Sequence, residues 1–149
     1  YQISRKSTFF LNCGLLKTNK DAFSYPSPIY GNVTVKQREQ ARSPKYTIST
    51  GIEFQATSKL YTRLEVIAKD RYYYFNNTNQ MSKSYMIVNL NSKYKITDNL
   101  DISLSLKNAT DERYGIHGFY FSVSGYEPRK FHESPANPRD ISISLSLRL

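Results

Sequence analysis

Two histidines, His117 and His132, fall in one polar stretch with Glu127 and Glu133 close by, and these are the residues best suited to hold a metal ion. Their spacing matches no standard ligand pattern, so they are read as solvated loop residues, with no metal and no other cofactor expected. Cys13 is the sole cysteine, which excludes an internal disulfide and any site built from several thiolates. No Gly-rich phosphate loop and no nucleophile elbow occurs, so the chain reads as a non-enzyme. Binding chemistry is densest in KDRYYYFNNTNQ, Lys69 to Gln80. There Arg71, Tyr72, Tyr73 and Tyr74 could hold an organic, anionic chelate on aromatic and cationic faces. The same tyrosines equally suit an aromatic girdle at a membrane interface. His117 and Arg129 complete the candidate ligand contacts. Lys36, Arg38, Arg42 and Lys130 could meet lipopolysaccharide phosphates, an anionic ligand or only solvent. The net charge of +9 predicts attraction to anions without naming one.

Alternating strands must position these groups. In DISISLSLRL the residues Ile141, Ile143, Leu145, Leu147 and Leu149 share one face, and Ser142, Ser144, Ser146 and Arg148 share the other. The period recurs in Leu100 to Lys107, Met86 to Ile96 (broken once by Ser92), Leu60 to Lys69, Tyr46 to Ala56 and, less cleanly, Phe9 to Leu16. Six strands are predicted, over about residues 7–18, 44–57, 59–74, 83–96, 99–114 and 138–149. Their lengths meet the roughly 9–11 residues that a tilted strand needs to cross a bilayer. No apolar run is long enough for a transmembrane helix, which says nothing about a barrel.

Short and long connections alternate. ATSKL and ITDNL are tight turns, the second with Asp98 and Asn99 as its turn residues. The links 19–43, 76–82 and 115–137 are long and polar. One end of the sheet thus carries turns and the other carries loops, as in outer-membrane barrels. A soluble sandwich or lipocalin-like barrel would also alternate. Against it stand Lys, Asn, Ser and Glu in mid-strand on the polar face, and tyrosines gathered towards the long-loop end. A soluble basic domain binding nucleic acid would cluster its cations with tyrosine on one face; here Glu53, Glu65 and Asp101 interrupt them, and no nucleic-acid partner is expected.

From SPKYTISTGIEF onward the sequence resembles the C-terminal part of a TonB-dependent outer-membrane receptor. The likeness rests on that segment, on SYMIVNLNSKYKITDNLDISLSLKNATDERYGIHGFYF, and on NPRDISISLSLRL. It includes an Asn-x-x-Asp-x-x-Tyr motif at Asn108, Asp111 and Tyr114, and Pro138-Arg139 before the closing strand. The family usually ends on an aromatic residue read by the barrel-assembly machinery; here Leu149 stands in that place. The resemblance implies an all-β fold, a curved antiparallel meander of about six long strands cut from the C-terminal side of a transmembrane β-barrel. It also implies a bacterial outer-membrane location and a plug domain outside residues 1–149, through which the full protein meets TonB. The implied role is active uptake of a scarce small molecule, above all a ferric siderophore, from a surface in contact with lipid and lipopolysaccharide. Tyr1 is preceded by no initiator Met or signal peptide, so a fragment of something longer is expected. The rival is a small complete barrel with a structural or adhesive role. It needs two more strands, within Tyr30 to Gln37 and Gly118 to Ser124, and a ladder joining the first and last strands.

Overall fold

The computed structural model describes residues 2–4, 6–27, 31–122 and 129–148, without the side chain of Ile3; Leu149 lies outside them. Eleven strands are present among these residues: β1 (Gln2–Ser4), β2 (Ser7–Leu15), β3 (Phe23–Ser27), β4 (Gly31–Val35), β5 (Tyr46–Gln55), β6 (Leu60–Lys69), β7 (Tyr85–Lys95), β8 (Leu100–Lys107), β9 (Gly115–Phe121), β10 (Lys130–Pro135) and β11 (Asp140–Leu147). Seven form one antiparallel sheet in the order β1-β2-β5-β6-β7-β8-β11. The six strands expected from alternation are β2, β5, β6, β7, β8 and β11, with somewhat shorter bounds.

Register follows the period. Ile52 lies between Phe9 and Leu64, Leu90 between Leu64 and Leu106, and Ile143 opposite Leu104, so every apolar set falls on the same face. A slip of one residue would invert a whole strand, which is why the pattern specifies the pairing. Among the described residues nothing covers that face: Ile141 is 64%, Leu145 69% and Leu104 38% exposed. Among the described residues the buried apolar side chains are Val35, Tyr72 and Tyr74 alone. The accessible surface is 10954 Å², where a self-contained globular chain of this mass would expose about 7,800 Å².

The polar interruptions of the apolar face are satisfied locally. Thr62 and Ser92 hydroxyls bond each other at 3.0 Å, and Thr50 Oγ1 donates to Phe10 O at 3.0 Å. On the opposite face Arg63 donates to Glu53 (2.6 Å) and Glu65 (3.2 Å) while its guanidinium lies 4.3 Å over the Phe10 ring. Buried Asp101 bridges Lys93 and Arg148.

Two expectations at strand ends are revised. In the tight turns the work is done by threonine: Thr57 Oγ1 accepts Lys59 N and Leu60 N, and Thr97 Oγ1 accepts Asn99 N and Leu100 N. Asp98 instead pairs with Lys95 at 2.8 Å, which lowers its pKa. The strand predicted over 99–114 stops at Lys107 because Asn108 turns to φ 50°.

The small-barrel rival required two further strands, and both regions do contain one, β4 and β9. They pair with β3 and β10 inside their own loops, and the edges of the main sheet, β1 and β11, do not meet.

Candidate loop-end binding site

The long links all emerge at one end of the sheet, and the middle one is their hub. Residues 71–82 fold back on themselves through Ser82 N to Tyr72 O (2.9 Å) and Tyr74 N to Gln80 O (3.0 Å). Alternation sends Tyr72 and Tyr74 the same way, beneath the β9–β10 hairpin. Tyr72 Oη donates to Ile116 O at 3.1 Å, and Tyr74 Oη donates to the Glu133 carboxylate. Tyr74 also packs on Phe131 at 5.7 Å, and Phe75 on Tyr120 at 5.8 Å. Gly118 makes this docking possible: a Cβ there would come within 2.8 Å of Tyr74 and 2.7 Å of Phe131.

Arg38 ties the first link to the hub. Its Nη1 donates to Asn79 Oδ1 (2.9 Å), its Nη2 to Asn76 O (2.6 Å), and its planar face lies 4.5 Å over Tyr73. Ala41 N to Asn76 Oδ1 (2.9 Å) and Arg42 N to Tyr73 O (2.8 Å) complete the seam. Nearby, Lys45 bonds Glu39 at 3.0 Å and lowers the Glu39 pKa.

The candidate contacts therefore divide. Tyr72 and Tyr74 are buried supports, Tyr73 is half-buried under Arg38, and Arg71, His117 and Arg129 are exposed. His117 and His132 share the outward face of the hairpin, where His132 stacks against Phe119. Among the described residues no three His, Cys, Asp or Glu groups converge on a metal position. The described residues of this arrangement offer rings, cations and amides. Glu133 and Gly118 were not foreseen as partners of Tyr74; the one usable signal was a glycine among aromatics in HGFYF.

The Asn108-Asp111-Tyr114 motif forms a knot between β8 and β11. Asn108 Oδ1 accepts Glu112 N (2.9 Å), its Nδ2 donates to Glu112 O (2.9 Å) and Asn137 O (3.4 Å), and its own N donates to Asn89 Oδ1 (3.0 Å). Asp111 Oδ1 accepts Arg139 N at 2.9 Å, just after Pro138, where the chain enters β11. Tyr114 stacks on Tyr85 with centroids 3.7 Å apart.

No protein-family model and no curated protein matches the sequence. Solved structures do match. One is the ferric yersiniabactin uptake receptor FyuA from Yersinia pestis, with TM-score 0.69, 15% identity, and coverage of 99% of this chain and 22% of that one. Another is the siderophore receptor PiuA from Acinetobacter baumannii, with TM-score 0.74, 15% identity, and coverage of 98% and 20%. The fold is that of a slice of an outer-membrane receptor barrel.

The slice spans about a fifth of the length of each receptor. Its apolar face is the outer wall and its polar face the lumen wall, with the loop hub at the mouth. At that mouth, burial and then the Glu133 carboxylate push the Tyr74 phenol above its ordinary pKa of 10.0. Below pH 10 both folded and unfolded chains keep this proton; above it only the docked form does. Docking is therefore expected to weaken as pH rises past about 10, by up to about 1.4 kcal/mol per pH unit. Proteolytic nicking within residues 115–135 measures this. Tyr74→Phe should raise nicking at neutral pH and flatten its dependence on alkaline pH.

Proposed function

We propose that this chain is the C-terminal barrel segment of a TonB-dependent receptor in the bacterial outer membrane, serving active uptake of a ferric siderophore. The observation that carries the reading is the uncovered apolar face of an open antiparallel sheet whose fold is that of a receptor barrel wall. Residues 1–149 supply wall, lumen lining and three mouth loops. The plug, and with it the contact to TonB, belongs to other parts of the full protein, and lipid, lipopolysaccharide and the barrel-assembly machinery meet the outer face and the closing strand. Arg71, Tyr73, His117 and Arg129 contact the chelate, with Tyr72 and Tyr74 holding the hub that presents them.

The test is radioiron uptake by cells whose only siderophore receptor is the full-length protein, scanned with hydroxamate, catecholate and phenolate chelates. At least one chelate should enter in TonB-containing cells and none in cells lacking TonB. Arg71→Ala and Arg129→Ala should each raise the Kd of that chelate about tenfold, a loss of about 1.4 kcal/mol. Uptake unchanged by loss of TonB would refute the reading.

A further inference from the structure

Alternation leaves the sheet one freedom. A slip of one residue inverts a strand, but a slip of two returns every side chain to its own face. Between β8 and β11 such a slip meets little resistance, because both strands repeat serine with leucine or isoleucine. In the observed register Ile141, Ile143, Leu145 and Leu147 face Leu106, Leu104, Ile102 and Leu100, while Ser142 and Ser144 face Ser105 and Ser103. Shifted by two, Ile143, Leu145 and Leu147 would face Leu106, Leu104 and Ile102, and Ser144 and Ser146 would face Ser105 and Ser103. Arg148, which bonds Asp101 at 2.8 Å, would come directly opposite it, so the ion pair survives. The reverse shift draws Arg148 away from Asp101 and is opposed by that loss.

What opposes the first shift lies outside the strands. Three bonds tie the chain just before β11 to the chain just after β8. Ala136 N donates to Tyr114 O (2.8 Å), Asn108 Nδ2 donates to Asn137 O (3.4 Å), and Arg139 N donates to Asp111 Oδ1 (2.9 Å). Backbone groups recur along a chain, so after a two-residue shift Arg139 O would replace Asn137 O, and Ile141 N would replace Arg139 N. Pro138 breaks the series. It would stand where Ala136 donates, and it has no N–H. We infer that Pro138, held by Asn108, Asp111 and Tyr114, selects the register of β11 on β8 and excludes the two-residue slip that the strands themselves allow. The consequence reaches past this pair. Among the described residues β11 is an edge of the sheet, and the slip would displace every backbone group on that edge by about 6.8 Å. The inference concerns pairing within this chain and does not rest on the uptake reading.

The experiment is disulfide trapping in the folded full-length protein, with Cys13 and any other native cysteine replaced by alanine. Arg148 N donates to Asn99 O, so Ile143 and Leu104 form a non-hydrogen-bonded pair with Cα atoms about 4.5 Å apart. A disulfide closes at that distance and not beyond about 7 Å, which a two-residue offset exceeds. Ile143→Cys with Leu104→Cys therefore reports the observed register, and Leu145→Cys with Leu104→Cys reports the slip. With Pro138 present the first pair should close and the second should not. Pro138→Ala keeps all three tying bonds, so the protein still folds, yet the slipped pair should close at least tenfold more. A second variant inserts Ile-Ser after Asp140 and leaves Pro138 and its partners untouched. Trapping should then move to Ile141→Cys with Leu104→Cys, because the register is counted from Pro138. An inserted chain that still closes Ile143→Cys with Leu104→Cys would show that the Arg148 end sets the register, and overturns the inference. So does a slipped pair that stays open in Pro138→Ala, which would mark the proline as a stiffener of the link only.

Discussion

On the proposed function, Ile143→Lys in the full-length protein is expected to abolish assembly into the membrane, while Ser144→Lys, one residue on, is expected to leave it intact. Both sit at the centre of β11. Ile143 faces the apolar side opposite Leu104, and is 68% exposed to whatever lies outside the sheet; Ser144 lies opposite Ser103 on the lumen side. A lysine at the bilayer midplane costs about 2–4 kcal/mol, and in the watery lumen close to nothing. That difference amounts to a factor of roughly 30 to 1,000 in the folded fraction. The heat-modifiable, protease-resistant band on gels reads it directly. Equal effects at the two positions would show that the apolar face meets protein or water instead of lipid. The whole assignment of inside and outside would then fail.

Asn108→Ala carries the second large effect. The buried amide of Asn108, whose own φ is 50°, holds three backbone groups by two donated bonds and one accepted. Alanine leaves these groups unpaired at about 1–3 kcal/mol and adds about 1–2 kcal/mol of left-handed strain. The expected loss is about 3–4 kcal/mol in the urea stability of the refolded full-length protein. Asn108→Gly removes the bonds but not the conformation, so it should lose about 1 kcal/mol less. Asn108→Asp keeps the acceptor but points a second one at Glu112 O and Asn137 O, and should behave like alanine. A change below about 0.5 kcal/mol in Asn108→Ala would mean that the knot is ornamental. The knot explains why Asn108, Asp111 and Tyr114 are spaced by three: each must face a different partner at the end of one strand and the start of the next.

Strand existence and face were legible because alternation is a local property. Ile141, Ile143, Leu145 and Leu147 declare a side without help from any distant residue. The two extra hairpins were only half legible: a strand was offered within 30–37 and within 118–124, but not the partners β3 and β10. Tyr25, Val33, Ile116 and Phe131 alternate over only five to seven residues, too short a run to stand out from a polar loop. The role of the tyrosine cluster was hidden for a different reason. An exposed ring at a membrane interface and a ring buried under a hairpin have the same sequence, and they differ only in what folds over them. For Tyr72 and Tyr74 that partner is more than 40 residues away, at Ile116 and Glu133.

By itself the sequence determined an all-β chain, six strands with one apolar and one polar side, and loops at one end. Short-range physics suffices for all of this: side-chain direction alternates along any strand, and turn residues act within four positions. Only the tertiary structure decided that the sheet remains open, that Arg38 sews the first loop to the middle one, and that Tyr74 clamps the last. These contacts join residues far apart in the chain, and nothing in the local pattern encodes which distant loop will arrive.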